Sequence, residues 1–235
     1  MKKNIACLTL LLSCFFLSCE KEEEFKIPVD VSFAVDMQRE QATGSGLRFT
    51  EGHAVLSSFE FEGDREQAES VHFEKEYGQG LYIPFSPNQA PGELKFQVPQ
   101  GSYRRIAISF ETAEGDEEEE SGGSGLVVKG VYRTGSGSEL PLLFELSSSG
   151  EFETVAKSVS GGSQVVLKRE APASATIRLN PLYWFQAVPS SSLDNAEVFE
   201  VNGVATILIN EEANEHIYEI VVSRLGKGAE TVFTY

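Results

Sequence analysis

Val29, Val31, Phe33, Val35 and Met37 occupy every second position, with Asp30, Ser32 and Asp36 among the residues between them. Successive side chains of a strand point to opposite faces, so this period predicts a strand with one face buried and one in water. The pattern recurs. Phe59 and Phe61 line up with Val55, and Leu94, Phe96 and Val98 alternate with Glu93, Lys95 and Gln97. Ile106, Ile108 and Phe110 follow a "PQGS" turn, which reads as a hairpin. "GLVVKGVYRT" and "ELPLLFELS" flank "GSGS" and read as a second hairpin, with Leu140, Leu142, Phe144 and Leu146 on one face. Pro141 lacks an N–H and therefore points to an edge position. Further strands are expected near Gln164–Lys168 and Ala173–Leu179.

Short strands at this spacing, broken by Gly, Ser and Pro, describe a mainly β chain: an antiparallel β-sandwich spanning residues 29–235. Two stretches differ. "NPLYWFQAVP" fits a short helical turn. "NEEANEHIYEIVVSRLG" predicts a helix over 211–225, with Asn210 as N-cap, Glu211 and Glu212 in the first turn and Gly226 at the stop. Ile217, Ile220, Val221 and Leu225 then share one face. The β-branched content of this segment leaves a strand open as the alternative. "AEGDEEEESGGSG" over 113–125 has no apolar residue after its first alanine and reads as a loop.

The 235 residues carry 36 acids against 19 bases, a formal net charge of −17. That argues against nucleic acid, whose phosphates are held by clustered Lys and Arg. It favours a soluble monomer. No G-x-S-x-G, Walker loop, dinucleotide fingerprint or HExxH pattern occurs, so neither an enzyme nor a cofactor or metal site is expected. His53 and His72, both near expected strands, are the only pair that could meet across the fold and clamp a haem; ordinary surface histidines are the plainer reading. Asp116 to Glu120 lacks the spaced ligands and turn glycine of a calcium loop and reads as a solvated run. Tyr183 and Trp184, the latter the only tryptophan, form a candidate sugar-stacking platform, against the plainer reading of a core anchor.

The first residues say where such a chain is held. Lys2 and Lys3 precede an almost uncharged apolar run from Ile5 to Leu17, the pattern of an export signal over 1–18 that is too short to span a bilayer. All three cysteines, Cys7, Cys14 and Cys19, lie within the first 19 residues. Cleavage before Cys19 leaves a mature body with one thiol, hence no intrachain disulfide and no multi-thiolate metal site. "FLSC" ending at Cys19 resembles the lipobox of bacterial lipoproteins, which implies acylation of that cysteine. "LLSC" at Cys14 also fits, but it would strand Phe15, Phe16 and Leu17 in the mature chain. The tether, 19–28, opens "CEKEEE". Lys21, Glu22 and Glu23 resemble the surface-export signal of lipoproteins from Bacteroidota; a spacer extended by self-repulsion is the alternative.

With the sheet pattern, the chain resembles uncharacterised Bacteroidota lipoproteins with immunoglobulin- or transthyretin-like bodies. The resemblance implies a lipid-anchored, non-enzymatic binding or interaction module at the outer membrane, facing the cell surface, with periplasmic orientation as the alternative. Its partner would be a glycan or a protein. Two rivals remain: a haem- or glycan-capture lipoprotein, and a fimbrillin-like pilus subunit that sheds its lipidated segment and exchanges a strand. Arg39 is the first arginine, so trimming by an arginine-specific protease would remove the first strand.

Overall fold

The computed structural model describes residues 25–39, 46–87, 92–115 and 123–234. The alternating segment 28–37 is strand β1 (Pro28–Met37), and its five apolar residues are all at most 3% exposed. It lies inside the first of two sheets, antiparallel to β4 (Gly92–Pro99) and parallel to β11 (Ala173–Leu179). Beyond β11 come β14 (Ala229–Thr234) and the two-residue β9 (Lys157–Ser158), giving the order β4-β1-β11-β14-β9.

The second sheet is built around β2 (Leu47–Arg65), long enough to serve three neighbours. β3 (Val71–Phe85) pairs along one edge. On the other edge the first half of β2 pairs with β6 (Leu126–Arg133) and the second half with β5 (Gly101–Thr112). The sheet therefore forks. One branch runs β6-β7-β13-β12, with β7 at Glu139–Leu146, β13 at Val204–Ile209 and β12 at Val198–Val201. The other carries β8 (Glu151–Val155) and β10 (Val165–Leu167) on β5.

The two sheets pack face to face as a sandwich, and buried residues from both form one hydrophobic cluster. Phe33 of the first sheet sits with its ring centroid 5.2 Å from Phe59 of the second, and it meets Phe233 edge-on at 5.8 Å. Such tilted aromatic pairs add to the area term of a core.

The architecture is the expected mainly β sandwich with a C-terminal helix, but the sheets are mixed: β1–β11, β7–β13 and β9–β14 run parallel. β4 and β5 are not a hairpin. The "PQGS" turn carries the chain from one sheet to the other, where β4 pairs with β1 and β5 with β2. The β6–β7 hairpin forms as read. β7 is an interior strand, yet β13 covers only Leu142–Phe144, so Pro141 falls where one side of the strand has no partner. Val55 does not share a face with Phe59 and Phe61. The register slips between Leu56 and Ser58, and this bulge swaps the faces: Ala54 and Leu56 point inward before it, Phe59 and Phe61 after it.

Helix α1 (Pro181–Phe185) starts at Asn180, whose Oδ1 accepts the Tyr183 N–H at 3.0 Å, and α2 (Ser190–Asp194) follows. The C-terminal helix α3 (Glu215–Val222) is shorter than the expected 211–225. Asn210 is not its cap. Its Oδ1 accepts from the N–H groups of Glu212 and Ala213, making a side-chain-closed turn, and Asn214 precedes the helix with φ 53°. Ile217, Val221 and, just past the helix, Leu225 are buried as expected; Tyr218 rather than Ile220 completes the face.

Candidate functional site

Where β5 and β6 part from β2, the outer face of the second sheet opens into a groove of about 1490 Å³. Its floor includes Val55 and Ser58 of β2, Val127 of β6 and Leu143 of β7. One wall is a distortion in β3. Leu56 pairs with Leu81 and Ser58 with Glu76, so four residues, Tyr77 to Gly80, stand opposite Ser57 alone. Gly80 makes the kink with φ +69°, and a Cβ there would lie 2.4 Å from Val55 Cγ1. The opposite wall is Glu111–Glu114 with Gly123–Gly125, held by Ala113 N–H donating to Val55 O and Val55 N–H donating to Gly125 O. Val201 and Asn202 close one end.

His53 lies at the groove with its ring centroid 4.9 Å from Tyr82, which is 59% exposed. Burial, and secondarily the Lys129 ammonium, lower the His53 pKa below 6.5, so the imidazole is neutral near pH 7. Carboxylate walls, the exposed ring of Tyr82 and a floor that mixes Val55, Val127 and Leu143 with Ser57 and Ser58 make this a surface suited to holding a ligand.

The described tether residues, 25–28, enter at one end of the sandwich, and the groove opens on the outer face of the second sheet midway along β2, around His53–Ser58. At the N-terminal end, the Ile27 carbonyl accepts the Gln100 N–H at 2.8 Å, and the Phe25 carbonyl accepts from Arg65 Nη1 at 2.6 Å. β5 starts there at Gly101 and reaches the groove at Glu111. Ten residues of strand span about 33 Å.

His53 and His72 are not brought together. His53 pairs with Pro84 of β3 and His72 with Glu62 of β2, nine β2 residues further on, a separation of about 30 Å. One iron cannot be clamped by both. His72 instead joins Glu60 and Glu62 on the open sheet face, where one ligand atom from each lies within 4.8 Å of the others. That cluster already has partners: Arg105 is 3.8 Å from Glu62, and Ser109 Oγ donates to Glu60 at 3.0 Å.

Trp184 is fully buried against Phe152 and Gly228, so it presents no face to a sugar. Tyr183 is half-buried, and the Arg224 guanidinium covers its ring at 4.4 Å. Both are packing residues, which corrects the stacking-platform expectation. Cys19, Lys21, Glu22 and Glu23 lie outside the described residues, as does 116–122 of the acidic loop.

The groove residues of β3 and of the β12–β13 turn had no place in the sequence reading. A signal existed for the turn. "EVNGVAT" places Asn-Gly between alternating residues, and Asn202 (φ 52°) with Gly203 (φ 79°) forms the two-residue hairpin this dipeptide favours.

No protein-family model matches the chain, and no curated protein matches it. Among solved structures the chain is similar to MbnP from Methylosinus trichosporium, at 12% identity over 69% of this chain and 78% of that one, with a TM-score of 0.37. Similarity at that level assigns no residue and no role.

Proposed function

We propose that the chain is a lipid-anchored, non-enzymatic module displayed at the outer membrane of a bacterium, which presents its groove to a partner. The observation that carries this reading is the distance between the groove and the entry of the chain. Residues 25–28 lie at one end of the sandwich, and the groove opens on the outer face of the second sheet about 33 Å along β5 from it. An acylated Cys19 with a second chain on its amine would hold stably, since two acyl chains anchor where one binds only marginally. The extended tether then sets the reach, and the sheets hold the groove away from the lipid.

The fimbrillin-like alternative requires cleavage after Arg39. That guanidinium is clasped: both Asp36 carboxylate oxygens accept from it, at 2.6 and 3.1 Å, and the Thr50 carbonyl accepts from Nε at 3.1 Å. Loss of β1 would also remove five buried apolar side chains, worth about 7–15 kcal/mol together. That is the size of a whole domain's net stability. Both observations weigh toward retention of β1.

The test is cell fractionation combined with protease treatment of intact cells. The native chain is expected in the outer-membrane fraction and digestible from outside, with Cys19→Ala released to the soluble fraction. Alanine at Lys21, Glu22 and Glu23 should leave the chain in the membrane but protect it from external protease. A Cys19→Ala chain that remains in the membrane would refute the anchor, and a native chain digested only after lysis would refute display.

A further inference from the structure

The carboxylates on the outer face of the second sheet fall into two groups. Outside the groove they have partners: Glu62 and Glu153 each lie 3.8 Å from Arg105, and Glu60 accepts from Ser109. Inside it, Glu145 accepts from Asn210 Nδ2 at 3.2 Å, while Glu74 and Glu76 on β3, Glu111 on β5 and Glu114 just beyond have no ion-pair partner among the described residues. The groove's own cation, Lys129, lies 3.4 Å from Glu51. Unpaired like charges lining a cleft concentrate counter-charge there. Between these walls the floor mixes Val55, Val127 and Leu143 with Ser57 and Ser58, and the exposed ring of Tyr82 offers a face to which a cation is attracted.

We infer that the groove binds an extended, basic segment of a partner polypeptide, in which lysine or arginine side chains reach the carboxylate walls and apolar ones meet the Val55–Val127 floor. Size separates this occupant from a small cation. At about 1490 Å³ the groove exceeds the roughly 300–1,000 Å³ of small-ligand pockets. Charge favours it over a neutral glycan, whose hydroxyls donate to carboxylates but leave the negative charge of the walls uncompensated. It also excludes nucleic acid, whose phosphates they repel. The inference rests on the groove being the presented surface and is independent of the lipid.

The experiment uses the full chain, purified in neutral detergent, and a short fluorescein-labelled peptide alternating Lys and Val. Its Glu–Val counterpart and a neutral glucan oligosaccharide serve as comparison probes. Anisotropy should rise with the Lys–Val peptide alone, and the affinity should fall as salt is added. The variant Glu74→Gln/Glu76→Gln/Glu111→Gln should weaken binding about tenfold or more. The variant Glu66→Gln/Glu69→Gln/Glu170→Gln removes the same charge at the tether end and should change affinity less than about twofold. Equal weakening by both variants would reduce the effect to net charge and overturn the inference, as would binding of the glucan but not the peptide. Acylation of Cys19 is read by mass in the same preparation. Absent peptide binding on an acylated chain sinks the basic-segment inference and leaves the anchor standing; a bare cysteine on a chain that binds does the reverse.

Discussion

Gly228→Ala tests whether the sandwich closes on its tryptophan as described. Gly228 follows the short 3-10 turn Leu225–Lys227 with φ −98°, a conformation alanine adopts without strain. The backbone is therefore no obstacle, and any cost is packing. A Cβ at 228 would lie 2.0 Å from Trp184 Nε1 and 2.4 Å from Cδ1, well inside van der Waals contact. The indole has little room to retreat: Trp184 is fully buried, and Phe152 stands 6.0 Å away. Overpacking of this kind costs about 1–3 kcal/mol, and an overlap of more than about 1 Å belongs at the upper end. At roughly 2–4 °C per kcal/mol for a chain of this size, about 3 kcal/mol lowers the melting temperature by about 6–12 °C. Trp184 is the only tryptophan, so its emission reports this site alone. Its N–H has no hydrogen-bond partner among the described residues, so native emission should be blue-shifted and should move red in Gly228→Ala. A cycle with Trp184→Phe, followed by circular dichroism in urea, isolates the contact. The double variant should be more stable than the two single losses predict, by about 1–3 kcal/mol. A Gly228→Ala chain within about 0.5 kcal/mol of native, with unchanged emission, would refute the packing argument.

The groove histidine should leave a signature in stability against pH. His53 titrates below 6.5 in the folded chain, so between that lower pKa and 6.5 the unfolded chain binds more protons. Stability should therefore fall as pH drops through this window, and His53→Gln should flatten that part of the curve in urea titrations at stepped pH. Retention of β1 is checked with an arginine-specific protease under native conditions. The bond after Arg39 should survive while denatured chain is cut, and Asp36→Ala should speed cleavage by freeing the guanidinium. Rapid native cleavage there, with the body still folded, would restore the fimbrillin-like alternative.

How much of this was legible in the sequence follows from the range of the forces involved. β1, the β6–β7 hairpin and the short helical turn α1 are written locally, in alternation and turn residues, and they form as read. Partners at long range are not. Nothing within Pro28–Met37 says that it lies parallel to Ala173–Leu179, since that choice is made by the packing of both sheets. The β4–β5 turn looked like a hairpin because local sequence does not distinguish a return within a sheet from a crossing between sheets. The groove escaped for a related reason. β3 breaks its alternation at Tyr77–Gly80, the feature that shapes the wall, so a search for regular strands passes over it. Trp184 and Tyr183 drew attention by residue type, and only burial shows that the core takes them.

The central claim is tested most directly by the mass of the N-terminal peptide of the chain extracted from native membranes. The account predicts a peptide that begins at Cys19 and carries fatty acyl groups. A peptide with a free Cys19 thiol, or one beginning at any other residue, would contradict it.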